Sequence, residues 1–122
     1  MFKSIILVAF FLISTAFATD LKPGLLTCEY RENPLGIDIK KPGFTWTLSS
    51  PKRNEVQSAY EIIVSDNETA INQLKGDMWS SGKVTGSGAI QIEYNGLSLS
   101  SYTKYYWRVR VFDEHGIVSD WS

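Results

Sequence analysis

The chain has 122 residues, 43% hydrophobic, 20% charged and 13% aromatic, with a formal net charge of −1. That length suits one domain with a sizeable core. Balanced charge, with no run of five like charges, argues against a partner such as nucleic acid or an anionic membrane, which needs clustered Lys and Arg. The single cysteine, Cys28, excludes an internal disulfide, so packing must hold the domain together.

The first residues are distinct. Met1-Phe2-Lys3 gives a short positive start, residues 5–17 are almost wholly apolar apart from Ser14 and Thr15, and Ala16-Phe17-Ala18 puts small residues where a signal peptidase reads. An apolar run of about a dozen residues is short for the ~30 Å hydrocarbon layer, so stable membrane insertion is not expected. Residues 1–18 are predicted to be a cleavable export signal, placing the product in the periplasm, the cell envelope or outside the cell. A buried helix or an uncleaved anchor is the alternative. Leu25-Leu26-Thr27-Cys28 resembles a lipid-attachment box, but Asp20-Leu21-Lys22-Pro23-Gly24 separates it from the apolar run. Cys28 therefore reads as a small hydrophobe in the first strand.

Residues 19–24 read as a loose leader, and 25–122 as one β-domain. Leu26, Cys28 and Tyr30 alternate with Thr27 and Glu29 as a first strand. Asn33-Pro34-Leu35-Gly36 and Lys40-Lys41-Pro42-Gly43 are turns, joined by a short extended connector over 37–39. Phe44, Trp46 and Leu48 alternate with Thr45 and Thr47, and the loop 49–54 contains Pro51, which forbids strand continuation. Tyr60, Ile62 and Val64 give the inward face of a third strand. The stretch 66–76 alone has helix character, with Ala70, Ile71 and Leu74 at helical spacing and Gly76 able to end the turn. Residues 78–84 form a short strand with a glycine kink, and 85–88 a flexible loop. Ile90, Ile92 and Tyr94 alternate up to Asn95-Gly96, a strong turn dipeptide.

The last strand is the clearest. Leu99, Ser101, Thr103, Tyr105, Trp107, Val109 and Val111 fall on one face, with Tyr106, Arg108 and Arg110 on the other, and Asp113-Glu114-His115-Gly116 turns the chain. About seven short strands bounded by turn chemistry predict an all-β, immunoglobulin/fibronectin type III-like sandwich. Phe44, Trp46, Tyr60, Ile62, Tyr105 and Trp107 are expected to share its interior.

The run from Leu99 to Val111, followed by Asp113, Gly116 and Ser119, resembles the strand F region of fibronectin type III domains. Ser101 stands where those domains usually carry Pro, and Tyr105 matches the tyrosine corner, whose hydroxyl ties back to upstream backbone. A narrower resemblance spans nearly all of the mature chain. Its motifs are Glu32-Asn33-Pro34-Leu35-Gly36-Ile37-Asp38, Pro42-Gly43-Phe44-Thr45-Trp46, Gln57-Ser58-Ala59-Tyr60-Glu61-Ile62-Ile63-Val64, Trp79-Ser80-Ser81-Gly82-Lys83-Val84 and Tyr105-Tyr106-Trp107-Arg108-Val109-Arg110-Val111. In order and spacing they resemble the N-terminal immunoglobulin-like domain of bacterial α-L-rhamnosidases. The resemblance implies a larger hydrolase downstream, with the catalytic carboxylates outside these residues. The family continues past Asp120-Trp121-Ser122, so the chain is expected to be a fragment with an incomplete last strand and an incompletely paired strand F edge.

Glycosidase chemistry needs two carboxylates about 5–9.5 Å apart across a sugar. Glu29, Glu32, Asp38, Asp113 and Glu114 are the candidates, and each falls at a turn or an outward position where carboxylates are solvated. His115 lies in a surface turn without the partners that a metal site or a serine relay needs. No catalytic, cofactor-binding or metal-binding residue is therefore assigned, and no cofactor is expected. Asn67-Glu68-Thr69 fits the glycosylation rule but is expected to be unmodified in a bacterial source. Trp107 is read as core, whereas Trp79 and Trp121 could offer weak carbohydrate contact. Ser119-Asp120-Trp121-Ser122 also fits half of a cytokine-receptor signature, without that family's cysteine pairs. Arg108 and Arg110, with Tyr106 between them, are either a solvated face or a docking surface for the downstream hydrolase domains. The sequence thus predicts a non-catalytic N-terminal module of a secreted α-L-rhamnosidase-like glycoside hydrolase. The alternative is a stand-alone fibronectin type III-like binding or adhesion module of the cell envelope.

Overall fold

The computed structural model describes residues 18–28 and 41–122. Nearly all of the expected export signal, the first expected turn and the 37–39 connector lie outside them. Seven strands and one short helix occur among the described residues. They are β1 (Lys22–Cys28), β2 (Gly43–Ser49), β3 (Ala59–Ser65), α1 (Glu68–Asn72), β4 (Trp79–Ser80), β5 (Val84–Thr85), β6 (Ile92–Glu93) and β7 (Tyr106–Phe112).

All pairings are antiparallel. Sheet A has the order β1-β2-β6. Sheet B is centred on β3, whose whole length from Ala59 to Ser65 pairs with β7. The opposite edge of β3 is shared, with β5 on Ala59 and Tyr60 and β4 on Ile63 and Val64. The all-β sandwich read from the alternation is the fold of this chain.

The interior is set by period-two alternation from both sheets. Phe44 and Trp46 of β2 meet Ile62 and Val64 of β3 and Val109 and Val111 of β7, joined by Leu21 and Tyr94. Tyr60, Tyr105 and Trp107 are half-buried and pack against that cluster, so all six residues expected inside face one core. Aromatic contacts bind the layers: Phe44 lies 4.5 Å from Trp107 and Trp46 lies 5.3 Å from Tyr60, centroid to centroid. Each fully buried Leu, Ile or Val contributes about 1.5–3 kcal/mol relative to exposure.

Several sequence expectations change. Residues 19–24 are not a loose leader: Leu21 is in the core and β1 begins at Lys22. The reason is a β-bulge between Gly24 and Thr27, where Leu25 takes φ 39°. The extra residue switches the inward phase from odd Leu21 to even Leu26 and Cys28, so simple alternation hides the first half of the strand.

The last strand begins at Tyr106 rather than Leu99. Tyr102, with φ 59° and an almost fully exposed ring, breaks the extended path, and the alternating serine and threonine before it belong to a loop. Tyr105 closes that loop as a tyrosine corner, its hydroxyl accepting the Ser100 N–H at 2.7 Å.

The strand F edge is paired over part of its length, by one bridge and a few hydrogen bonds rather than a full last strand. Val118 bridges to Phe112, and the N–H groups of Ser119 and Ser122 donate to Val111 O and Val109 O at 2.8 and 2.9 Å. In return Val111 N–H donates to Ser119 Oγ and Val109 N–H to Ser122 Oγ, both at 3.0 Å. Two serine hydroxyls thus stand in for strand carbonyls.

Helix α1 appears where helical spacing placed it, capped by Asn67, whose Oδ1 accepts the Ala70 N–H at 2.9 Å. Its end is a Schellman turn: Lys75 N–H donates to Ala70 O and Leu74 N–H to Ile71 O. Leu74, at φ 59°, takes the left-handed position, not Gly76. Ala70 and Ile71 are buried, and α1 packs against β3 and β7 of sheet B.

Candidate functional site

Of the five candidate carboxylates, Glu29, Glu32 and Asp38 lie outside the described residues. Asp113 was expected in solvent but is 4% exposed at the end of β7. Burial pushes its carboxyl up, yet the donors prevail: the Ile117 N–H, the Thr19 hydroxyl and the His115 N–H hold it below its usual value of 3.8. The Oδ1 atom accepts His115 N–H at 2.8 Å and Ile117 N–H at 3.0 Å. A carboxylate held ionised by a turn is the opposite of a general acid, which needs a raised value.

Glu114, the neighbouring candidate, accepts the Val56 N–H at 3.2 Å, tying the turn to the loop before β3. His115 projects into solvent, its Nε2 3.6 Å from Glu114. Among the described residues no group of three His, Cys, Asp or Glu side chains is placed to hold a metal ion. Asp113, Glu114 and His115 are brought together by one turn that reaches back to Thr19 and Val56.

The aromatics divide in the same manner. Trp107 packs on Phe44, as expected. Trp79, read as more open, sits 5.3 Å from Tyr94 and 6.2 Å from Phe44 and is part of the interior's edge. Trp121 is half-buried with the Arg110 guanidinium carbon 4.6 Å from its ring centre. Arg110 also pairs with Glu61, its cross-strand partner in the β3–β7 register. Arg108 donates to Ser122 O at 3.0 Å and to Asn72 Oδ1 at 2.9 Å. Both arginines are therefore held from several sides.

One residue that sequence reasoning passed over is Gln57, 3% exposed in the loop before β3. Its Oε1 accepts the Trp46 Nε1–H at 3.0 Å, and its Nε2 donates to Gly86 O at 3.0 Å and Gly88 O at 2.8 Å. A glutamine beside a polar loop carries no signal of such burial. The Glu61–Arg110 pair was within reach, because aligning two antiparallel strands places their outward charges opposite.

This sandwich, with its turn-bound carboxylates, matches one family over almost the whole described chain. The model for "Rha78A-like, N-terminal immunoglobulin domain" matches residues 23–122. The chain belongs to that family.

The curated relatives it matches include proteins named α-L-rhamnosidase. An α-L-rhamnosidase of Formosa agariphila is 31% identical over 98% of this chain, and one of Streptomyces avermitilis is 36% identical over 77%. These matches span only 13% and 9% of the relatives' own lengths. Among solved structures, the α-L-rhamnosidase from Dictyoglumus thermophilum superposes with TM-score 0.79 at 42% identity, covering 82% of this chain and 11% of its own. The Streptomyces avermitilis enzyme complexed with L-rhamnose gives 0.78 at 34% identity, covering 84% and 10%. The Rha78A-like domain described here thus corresponds to about a tenth of each relative.

Proposed function

We propose that this chain is the non-catalytic N-terminal module of a secreted α-L-rhamnosidase-like glycoside hydrolase, packing against and spacing the rest of that enzyme. The observation that carries the reading is the family match over residues 23–122, set beside relatives named α-L-rhamnosidase of which the match spans only 13% and 9%. The carboxylates within reach support it, since Asp113 and Glu114 are committed to the turn that follows β7. Substrates of the parent enzyme would be rhamnose-terminated glycans or glycosides, bound elsewhere in that enzyme.

Export through residues 1–18 belongs to the same proposal. Thr19, the first residue after the expected cleavage point, accepts the Leu21 N–H and donates to Asp113, so the residue that would open the mature chain has a place in the described fold.

The test is to read the locus and its product. An in-frame or frame-shifted hydrolase downstream, and a mature N-terminus at Thr19, are the expected results. An unrelated downstream gene would overturn the module reading in favour of a stand-alone binding domain. A mature product retaining Met1 would overturn export by cleavage.

A further inference from the structure

Charge is unevenly spread over the outward face of sheet B. The register places Tyr106, Arg108, Arg110 and Phe112 of β7 outward, opposite Ser65, Ile63, Glu61 and Ala59 of β3. Lys104 Nζ lies 5.1 Å from the Tyr106 ring centre, Arg110 lies over Trp121, and Lys83 Nζ lies 4.6 Å from the Phe112 ring centre. Arg108 falls between them. Four cations therefore line one strand, and Glu61 is the single carboxylate at the outward positions of β3 and β7. The whole chain has 12 basic and 13 acidic residues, so the excess is local.

Two further features make this stripe a receiving surface. The cations are pre-positioned over rings or by hydrogen bonds, which lowers the ordering cost of meeting a partner. Arginine and half-exposed aromatic rings are also the residue types enriched where protein surfaces meet. Lys83 and Lys104 are exposed, and the Arg110 side chain keeps 32% of its surface. Location supplies the rest. Trp121 and Ser122, at the end of the family match, lie against this strand, and in a family of N-terminal domains the next part of the protein follows that segment.

We infer that the cation–aromatic stripe of β7 is the docking surface for an acidic face of the domain that follows in a rhamnosidase chain. The inference rests on the module reading above and names the surface and the chemistry of its partner. Opposite charge across the contact fixes orientation and rejects wrong partners.

The test is a chimera of the Streptomyces avermitilis α-L-rhamnosidase in which residues 23–122 of this chain replace the matching domain. Scanning calorimetry compares the unfolding of that domain with the free 122-residue chain. Docking raises its unfolding temperature in the chimera, since a partner that binds only the folded form stabilises it. Lys83→Glu with Lys104→Glu, and separately Arg108→Glu, abolish that rise, while Thr47→Glu on the opposite sheet leaves it intact. The paired lysine variants leave the free chain's own unfolding temperature unchanged, which separates lost docking from lost folding. A rise that persists in the lysine variants overturns the surface and leaves the module reading standing. No rise in the unsubstituted chimera overturns both.

Discussion

Gln57 is one amide that joins two sheets, because Trp46 belongs to β2 of sheet A while Gly86 and Gly88 follow β5 of sheet B. Replacing it with Leu removes one acceptor and two donors from a dry site. Gln57→Leu is expected to destabilise the chain by about 2–4 kcal/mol, read as a lower urea midpoint with unchanged slope. Asp113 carries a pH-dependent share of stability. Its folded value is depressed, so the contribution is fully present above the unfolded value near 3.8 and is lost as pH falls through the lower folded value. Urea midpoints taken at neutral pH and again below 3.8 should show a larger acid loss for the parent than for Asp113→Asn, which starts lower and changes less.

At the scale of elements, strands with uninterrupted alternation were legible and strands bent by single residues were not. Phe44 and Trp46, and likewise Ile62 with Val64, announced β2 and β3 because two large residues per face leave no other register. The first half of β1 was hidden by the Leu25 bulge, and the start of β7 by the Tyr102 turn, since a positive φ at a non-glycine residue leaves no mark in composition. The candidate carboxylates could be named, but the burial of Asp113 depends on Thr19 arriving from a distant segment and on a turn that brings the Ile117 N–H back to it. Two element-scale outcomes follow from the same geometry. Ser119→Ala leaves the Val111 N–H without its acceptor, so that amide should exchange faster and the domain lose about 1–3 kcal/mol. Leu74→Gly relieves the left-handed strain at the end of α1 and should stabilise the domain by up to about 1 kcal/mol, read as a higher urea midpoint with unchanged helical circular dichroism.

For the whole molecule, the module reading proposed above assigns the chemistry to other parts of a longer protein. The inward aromatics of the two sheets share one interior, and Asp113 and Glu114 are spent on holding loops. The β7 stripe lies outward and is the surface assigned above to contact with the next domain. Time-resolved NMR of the purified 122-residue chain with an aryl α-L-rhamnoside tests this most directly. A dispersed, folded spectrum with no free rhamnose signals accumulating is the predicted result. Release of rhamnose that scales with chain concentration would contradict it.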